Sequence, residues 1–239
     1  MNAERPLAGQ VALITGASRG IGLAIARRLG EMGARLGLCA RDAEQLAHAE
    51  AELRRSGCET LALAADVTRT AEVGALVQHV NETLGEVDIL VNNAGVGLFA
   101  PLYELREEDW DRVMDTNLKG VYLCSRAVAP QMIRRRRGHI INISSLAGKN
   151  AFAGGGVYCA SKWGLQGLTA CLAEDLRGYG IRVSAVCPGT VATEFSPHAG
   201  KDPKKMLQPE DVAHVVAMLV TQAAQSFVSE VELRPTQKP

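Results

Sequence analysis

"VALITGASRGIG", residues 11–22, runs from a short apolar stretch through a glycine-rich turn into a segment with helical periodicity. Val11–Ile14 is continuously apolar, as in a strand buried on both faces of a parallel sheet. Past the turn, Ile21, Ile25 and Leu29 recur at helical spacing and give Ile21–Met32 an apolar face. Gly16, Gly20 and Gly22 let the backbone turn tightly and approach a pyrophosphate, which the positive end of the following helix stabilises. Three glycines alone carry little weight. Their position directly between strand and helix makes them a dinucleotide-binding signal.

The same alternation continues along the chain. Leu36–Cys39, Thr60–Ala64, Ile89–Val91, Ile140–Ile143, Val183–Val186 and Val228–Leu233 read as further strands. Between them Asp42–Ser56, Ala71–Leu84, Asp109–Arg136, Tyr158–Arg177 and Pro209–Val220 read as helices. The pattern predicts an α/β fold: a doubly wound parallel sheet of about seven strands, flanked by helices on both faces through right-handed crossovers. No linker-like stretch or internal repeat divides the chain, so one domain over residues 1–239 is expected.

Composition narrows the function. Hydrophobic residues make up 47% and the charges balance at 26 basic and 26 acidic, which speaks against a nucleic-acid footprint over the whole surface. Apolar runs such as Val215–Val220 fall far short of the roughly 18 residues a membrane span needs. The opening residues lack an apolar leader core, so a cytoplasmic location is expected. The six cysteines show no C-x-x-C spacing and the five histidines no H-E-x-x-H pattern; metal catalysis and disulfides are not expected. The run Arg134–Arg137 falls at a helix end, where cations oppose the negative dipole. An acidic partner such as a carrier protein is the alternative reading of that run.

The second strand ends at "RLGLCARD", where a carboxylate would bond the adenosine 2′-hydroxyl and repel a 2′-phosphate. Ala40 and then Arg41 stand there, and Arg19 lies in the first turn. Two guanidinium groups favour a 2′-phosphate and hence NADP(H) over NAD; Asp42 weakens the argument if the register is off.

"YCASK" (158–162) places a phenol and an ammonium at i and i+4, on one face of a helix. A nearby cation would depress the phenol's pKa. The bland alternative is a half-buried core tyrosine beside a surface lysine. The wider sequence decides. Thr15–Gly22, Asp66-Val67, "NNAG" at 92–95, Asn117, "NISS" at 142–145, Tyr158-x-x-x-Lys162 and "PGT" at 188–190 occur in order. Over nearly its whole length the chain resembles the short-chain dehydrogenase/reductase family, whose fold is of the Rossmann type.

The resemblance implies roles. Tyr158 would donate a proton to a substrate oxygen, Ser145 would hydrogen-bond that oxygen, and Lys162 would lower the tyrosine pKa and hold the nicotinamide ribose. Asn117 would interrupt its helix and bind a water linking Lys162 to solvent. Ser144 would support the strand end. Gly16, Ser18, Arg19, Gly20, Ile21, Gly22, Arg41, Asp66, Val67, Asn93, Ala94 and Gly95 would surround the adenosine and pyrophosphate. Pro188, Gly189, Thr190 and Thr193 would face the nicotinamide. Hydride transfer then reduces a ketone, aldehyde or 3-oxoacyl group, in a homodimer or homotetramer.

Residues 191–208 occupy the substrate-lid position; with Phe195 and Pro197 they imply a fairly open pocket, finished by Phe152, Val96 and Leu98. The ending "VELRPTQKP" departs from the family's frequent Val-Asp-Gly-Gly type. Two rival readings are a cofactor-binding regulator without chemistry and a sugar-nucleotide epimerase or dehydratase. The first has no need of all four catalytic residues. The second usually carries T-G-x-x-G-x-x-G and a larger C-terminal region, both missing here.

Overall fold

The computed structural model describes residues 5–195 and 202–238. Their strands are β1 (Val11–Thr15), β2 (Arg35–Ala40), β3 (Thr60–Ala64), β4 (Ile89–Asn92), β5 (Gly138–Ile143), β6 (Ile181–Pro188) and β7 (Glu230–Leu233). They form one seven-stranded sheet in the order β3-β2-β1-β4-β5-β6-β7, and each neighbouring pair is parallel. Chain order reverses between β1 and β4, the switch point at which such sheets open a crevice beyond their strand C-termini.

Helices α1 (Gly20–Glu31), α2 (Ala43–Arg55) and α7 (Pro209–Val220) cover one face of the sheet, their apolar sides packing on Ile14, Leu36, Leu38, Val91 and Ile141. On the other face lie α3 (Thr70–Thr83), α5 (Gly120–Arg135) and α6 (Gly156–Arg177), over Val11, Leu13, Leu90, Ile140 and Val183. Alternate residues of each strand thus feed two cores, which explains the continuously apolar strands. Strand β7 is the exception. Its alternating exposure and its Glu230 and Glu232 suit an edge, where charge discourages pairing with another chain.

The structure differs from the sequence reading in three places. The helix expected over 109–136 is three pieces: α4 (Glu107–Met114), a π-turn at Asp115–Lys119 and α5. The expected interruption at Asn117 is therefore a single wide turn. Strand β7 begins two residues later than Val228, because the Val228 N–H donates to Gln222 Oε1 and its carbonyl accepts from Ser184 Oγ.

The Arg134–Arg137 run does fall at the end of α5 as expected, and the third difference is that its cations are taken up by specific partners. Arg134 pairs with Glu86, Arg135 with Glu86 (3.2 Å) and Asp88 (2.8 Å), and Arg137 with Asp88 (2.9 Å). Asp88 is buried and also accepts the Val11 N–H at 3.0 Å. Arg136 takes the left-handed conformation at φ 53° and donates to the Gly178 carbonyl. These cations stitch the sheet's N-terminal edge, because the run directly precedes β5. That edge is opposite the strand C-termini where the glycine turn opens. Among the described residues no helix is long and apolar enough to cross a membrane.

Candidate active site

A cleft of about 1470 Å³ opens beyond the C-terminal ends of β1, β4, β5 and β6. Its lining includes Gly16, Ser18, Arg19, Gly20 and Ile21 from the first turn, Arg41 after β2, Asp66 and Val67 after β3, and Asn93, Ala94 and Gly95 after β4. Ser145, Tyr158 and Lys162 form a second group, and Pro188, Gly189, Thr190 and Thr193 a third. Gly22 and Asn117 stand behind the wall.

The glycine turn is a cradle in which side chains have no room. Gly16 has φ +64°, and a Cβ there would lie 2.9 Å from Ala94 Cα. At Gly22 a Cβ would lie 2.3 Å from the Gly16 carbonyl oxygen. Asn93 locks the turn from β4, its Nδ2 donating to the Thr15 and Gly16 carbonyls at 3.0 Å each. Thr15 Oγ1 answers by accepting the N–H groups of Asn93 and Ala94. Arg19 precedes α1 without a side-chain cap, and the first turn of α1 holds no acidic residue. Its N–H groups and partial positive charge face the cleft, as an anion requires.

At the adenosine end the register is settled. Strand β2 stops at Ala40, Arg41 follows it, and the Asp42 carboxylate accepts the Gln45 N–H as the N-cap of α2. Among the described residues Arg41 makes no ion pair. Arg19 differs from expectation: it is held 2.9 Å from Glu194 in an exposed pair. Asp66 accepts from both the N–H and the hydroxyl of Thr68. Burial works against its carboxylate, yet these bonds and the nearby Arg41 and Arg69 hold it below the usual range.

At the other end, Ser145 follows β5 in extended geometry and accepts the Ala147 N–H at 3.0 Å. Tyr158 lies in the first turns of α6, buried, with its side chain near enough to Ser145 for that residue to act on its pKa. Lys162 sits one turn on, 5% exposed, with Nζ 2.9 Å from the Ile143 carbonyl and 5.8 Å from the Tyr158 ring centre. Burial pushes the Lys162 ammonium down to about 8. Burial likewise pushes the phenol up to about 12, only partly opposed by Ser145. The sequence reading had Lys162 depressing Tyr158. Desolvation outweighs that effect, and the lysine points at the Ile143 carbonyl.

Asn117 is held by three side-chain hydrogen bonds. Its Oδ1 accepts the Val96 N–H at 2.8 Å, and its Nδ2 donates to the Val96 carbonyl at 2.9 Å and to Ser161 Oγ at 3.1 Å. Both amide protons are spent on protein partners, and the side chain clamps the loop after β4. Ser161 passes its own proton to the Tyr158 carbonyl and so ties the clamp to α6. Ser144 supports the strand end as expected through its N–H to Val186, while its buried hydroxyl has no partner among the described residues.

Of the expected pocket-closing residues, Phe152 and Phe195 line the cleft and Val96 and Leu98 do not; Phe99 takes their place. Pro197 lies outside the described residues. Sequence reasoning missed Phe99, Thr15, Glu194 and the C-terminal stretch Arg234–Lys238, which borders the cleft. The tail arrives there because the Gly189 N–H bonds the Leu233 carbonyl and β7 continues beside it. The unusual ending was the signal that could have found it.

Known proteins resemble the chain throughout. It is 37% identical over 231 residues to the 3-oxoacyl-(acyl-carrier-protein) reductase of Synechocystis sp., covering 93% of this chain and 94% of that protein. It is 36% identical to the glycine betaine reductase ATRR of Emericella nidulans over 98% of this chain, but spans 19% of that protein's length. Among solved structures, a metagenomic short-chain oxidoreductase in complex with NADP superposes with a TM-score of 0.87 at 50% identity, over 98% of this chain and 100% of the other. The family model for short chain dehydrogenases matches residues 10–204, and this chain belongs to that family of oxidoreductases.

Proposed function

We propose that the chain is an NADPH-dependent carbonyl reductase that works reversibly on a ketone, aldehyde or 3-oxoacyl group. The observation that carries this reading is the meeting of the Tyr158 and Ser145 side chains in the lining at one end of a cleft whose other end is an uncapped helix N-terminus. NADP fits the residues present: the glycine cradle admits a backbone-bound pyrophosphate, Asp42 is committed to its helix, and Arg19 and Arg41 stand where a 2′-phosphate would sit. The NADP carried by the metagenomic relative supports the same choice.

When bound, NADPH supplies a hydride to the carbonyl carbon and leaves as NADP⁺. The π-electrons of the C=O bond move to oxygen, which needs hydrogen-bond donors and a proton as its charge develops. Ser145 and Tyr158 donate to that oxygen, and Tyr158 gives up its proton to complete the alcohol. A phenol held near 12 keeps its proton at neutral pH, so it is ready as an acid. Lys162 remains largely protonated at pH 7 and stabilises the phenolate left behind. Asn117 positions these groups by holding the β4 loop against α6. The same reading takes residues 1–239 as one cytoplasmic domain assembling as a homodimer or homotetramer, with the exposed Tyr122 of α5 and Trp163 of α6 as apolar surface available to a second copy.

The test is Tyr158→Phe. Turnover of carbonyl substrates should fall by about a thousandfold or more, a loss of the size that general acid catalysis supplies at its upper range. NADPH binding, followed by its fluorescence, should persist. Normal turnover in that variant would sink the mechanism.

A further inference from the structure

The chain contains four phenylalanines, and three of them gather at the Tyr158 end of the cleft. Phe99 meets the Tyr158 ring edge-on with centroids 5.4 Å apart. Phe152 lies 6.0 Å from Phe99, and Phe195 lies 5.8 Å from Tyr158. The rings are placed by glycines: a Cβ on Gly97 would come within 2.9 Å of Phe195 and 3.1 Å of Phe99, and one on Gly155 within 2.7 Å of Phe152. Yet the protein does not cover them. Phe99 is 37%, Phe152 48% and Phe195 41% exposed. From Phe99 through Tyr158, the described lining residues carry no charge, and the charged groups that follow, Lys162 and Glu194, are engaged by the Ile143 carbonyl and by Arg19.

We propose that Phe99, Phe152 and Phe195 form the wall that selects the substrate, and that the substrate is an uncharged carbonyl compound with an aromatic ring within a bond or two of the carbonyl group. This rests on the reductase reading above and names its substrate class. Phe99 is tilted 41° to Phe152, and the buried Tyr158 ring meets Phe99 at 69° and Phe195 at 54°, which leaves edges and faces of the half-exposed phenylalanines for a further ring to meet. Aromatic rings attract one another in tilted and offset geometries beyond what burial of their area supplies. A flexible acyl chain gains the burial without the ring–ring attraction and loses more rotamer freedom on binding. Anchored on this wall, a short aryl substituent leaves its carbonyl oxygen beside the Ser145 and Tyr158 hydroxyls. An acidic carrier finds no help here, because the arginines of 134–137 lie at the opposite edge of the sheet.

The test compares 1-phenylpropan-2-one with 1-cyclohexylpropan-2-one, two unconjugated ketones of equal size and similar carbonyl reactivity, in the purified full chain with NADPH. The phenyl ketone should be favoured about tenfold in kcat/KM, the preference that one or two ring–ring contacts supply. In Phe152→Leu, whose ring does not touch Tyr158, that ratio should shrink towards unity; being a ratio, it does not depend on how much of the variant folds. Equal use of the two ketones, or an unchanged ratio in the variant, overturns the inference. A 3-oxoacyl thioester turned over tenfold faster than either ketone overturns it too, while the reductase reading stands. If no carbonyl compound is reduced, calorimetric titration of both ketones into the NADP-loaded protein decides. Tighter phenyl binding keeps the aromatic wall and removes the reductase reading; equal binding removes both.

Discussion

Lys162 Nζ donates to the Ile143 carbonyl at 2.9 Å, while the ring of its presumed partner Tyr158 is centred 5.8 Å away. A buried ammonium with one carbonyl for company is costly, and the site keeps it for a reason other than stability. On the proposed function, the hydroxyls of a nicotinamide ribose would offer the lysine further acceptors.

That cost sets a pH dependence. Lys162 has a folded pKa of about 8 against 10.5 in the unfolded chain. Between those values the unfolded chain binds the extra proton, so stability rises with pH across the window; below about 8 the full penalty is present. Lys162→Met should be inactive yet more stable than the parent at pH 7, by on the order of 2 kcal/mol. The gap should narrow by pH 9.5. Urea unfolding at the two pH values reads it, and a variant less stable at pH 7 contradicts the account.

Arg19 is held by Glu194, 175 positions away, in a pair whose side chains are 62% and 78% exposed. A cofactor phosphate must compete with that carboxylate. Glu194→Gln should lower the KM for NADPH about two- to fivefold at low salt, with NADH little changed, and the gain should fade as salt screens the site. Arg41→Ala should act in the opposite direction, raising the KM for NADPH far more than for NADH. Steady-state kinetics with both cofactors measure the two variants; equal shifts for NADPH and NADH would refute the phosphate assignment.

Asn117 makes three hydrogen bonds from a side chain that is 1% exposed. Asn117→Ala leaves the Val96 N–H and carbonyl without their partners, which should destabilise the protein by about 2–3 kcal/mol. Because the clamp joins the β4 loop to α6 below Tyr158, kcat should fall tenfold or more while the KM for NADPH changes less. Thermal melting and kinetics on the same sample separate these effects. A stable variant with full kcat would show that the clamp positions nothing.

What was legible in the sequence was whatever local chemistry dictates. Gly16 and Gly22 announce themselves because only a missing Cβ fits beside Asn93 and the turn's own carbonyl, and Tyr158 and Lys162 because helical spacing sets them on one face. Burial on both faces made the strands readable as continuous apolar runs to within two residues, and the late start of β7 comes from side chains taking the Val228 backbone. The illegible parts are long-range pairings. Nothing local links Arg19 to Glu194, Asn117 to Val96, or the arginine run to Glu86 and Asp88. Phe99 was missed because a lone aromatic in an irregular loop has no period to betray it. The Lys162–Tyr158 spacing was read correctly but its electrostatics were not, since spacing says nothing about desolvation.

The C-terminal tail gives a last expectation. Arg234–Lys238 borders the cleft, and a Cβ on Gly189 would lie 3.2 Å from both Pro235 Cδ and Leu146 Cδ1. Gly189 is thus wedged between the tail and the turn after Ser145, with its N–H fixed to the Leu233 carbonyl. Strand β7 ends at Leu233, so removing residues 235–239 spares the sheet's hydrogen bonds but takes away the packing behind the 188–190 turn. The truncated protein should fold with a melting temperature within a few degrees of the parent, the shift expected from about 1 kcal/mol at this chain length. Its KM for NADPH should rise severalfold, because the 188–190 turn lining the cleft is no longer pre-set and ligand binding must order it. Unchanged KM with an unchanged melting temperature would make the tail a bystander; a large drop in melting temperature would make it part of the fold instead.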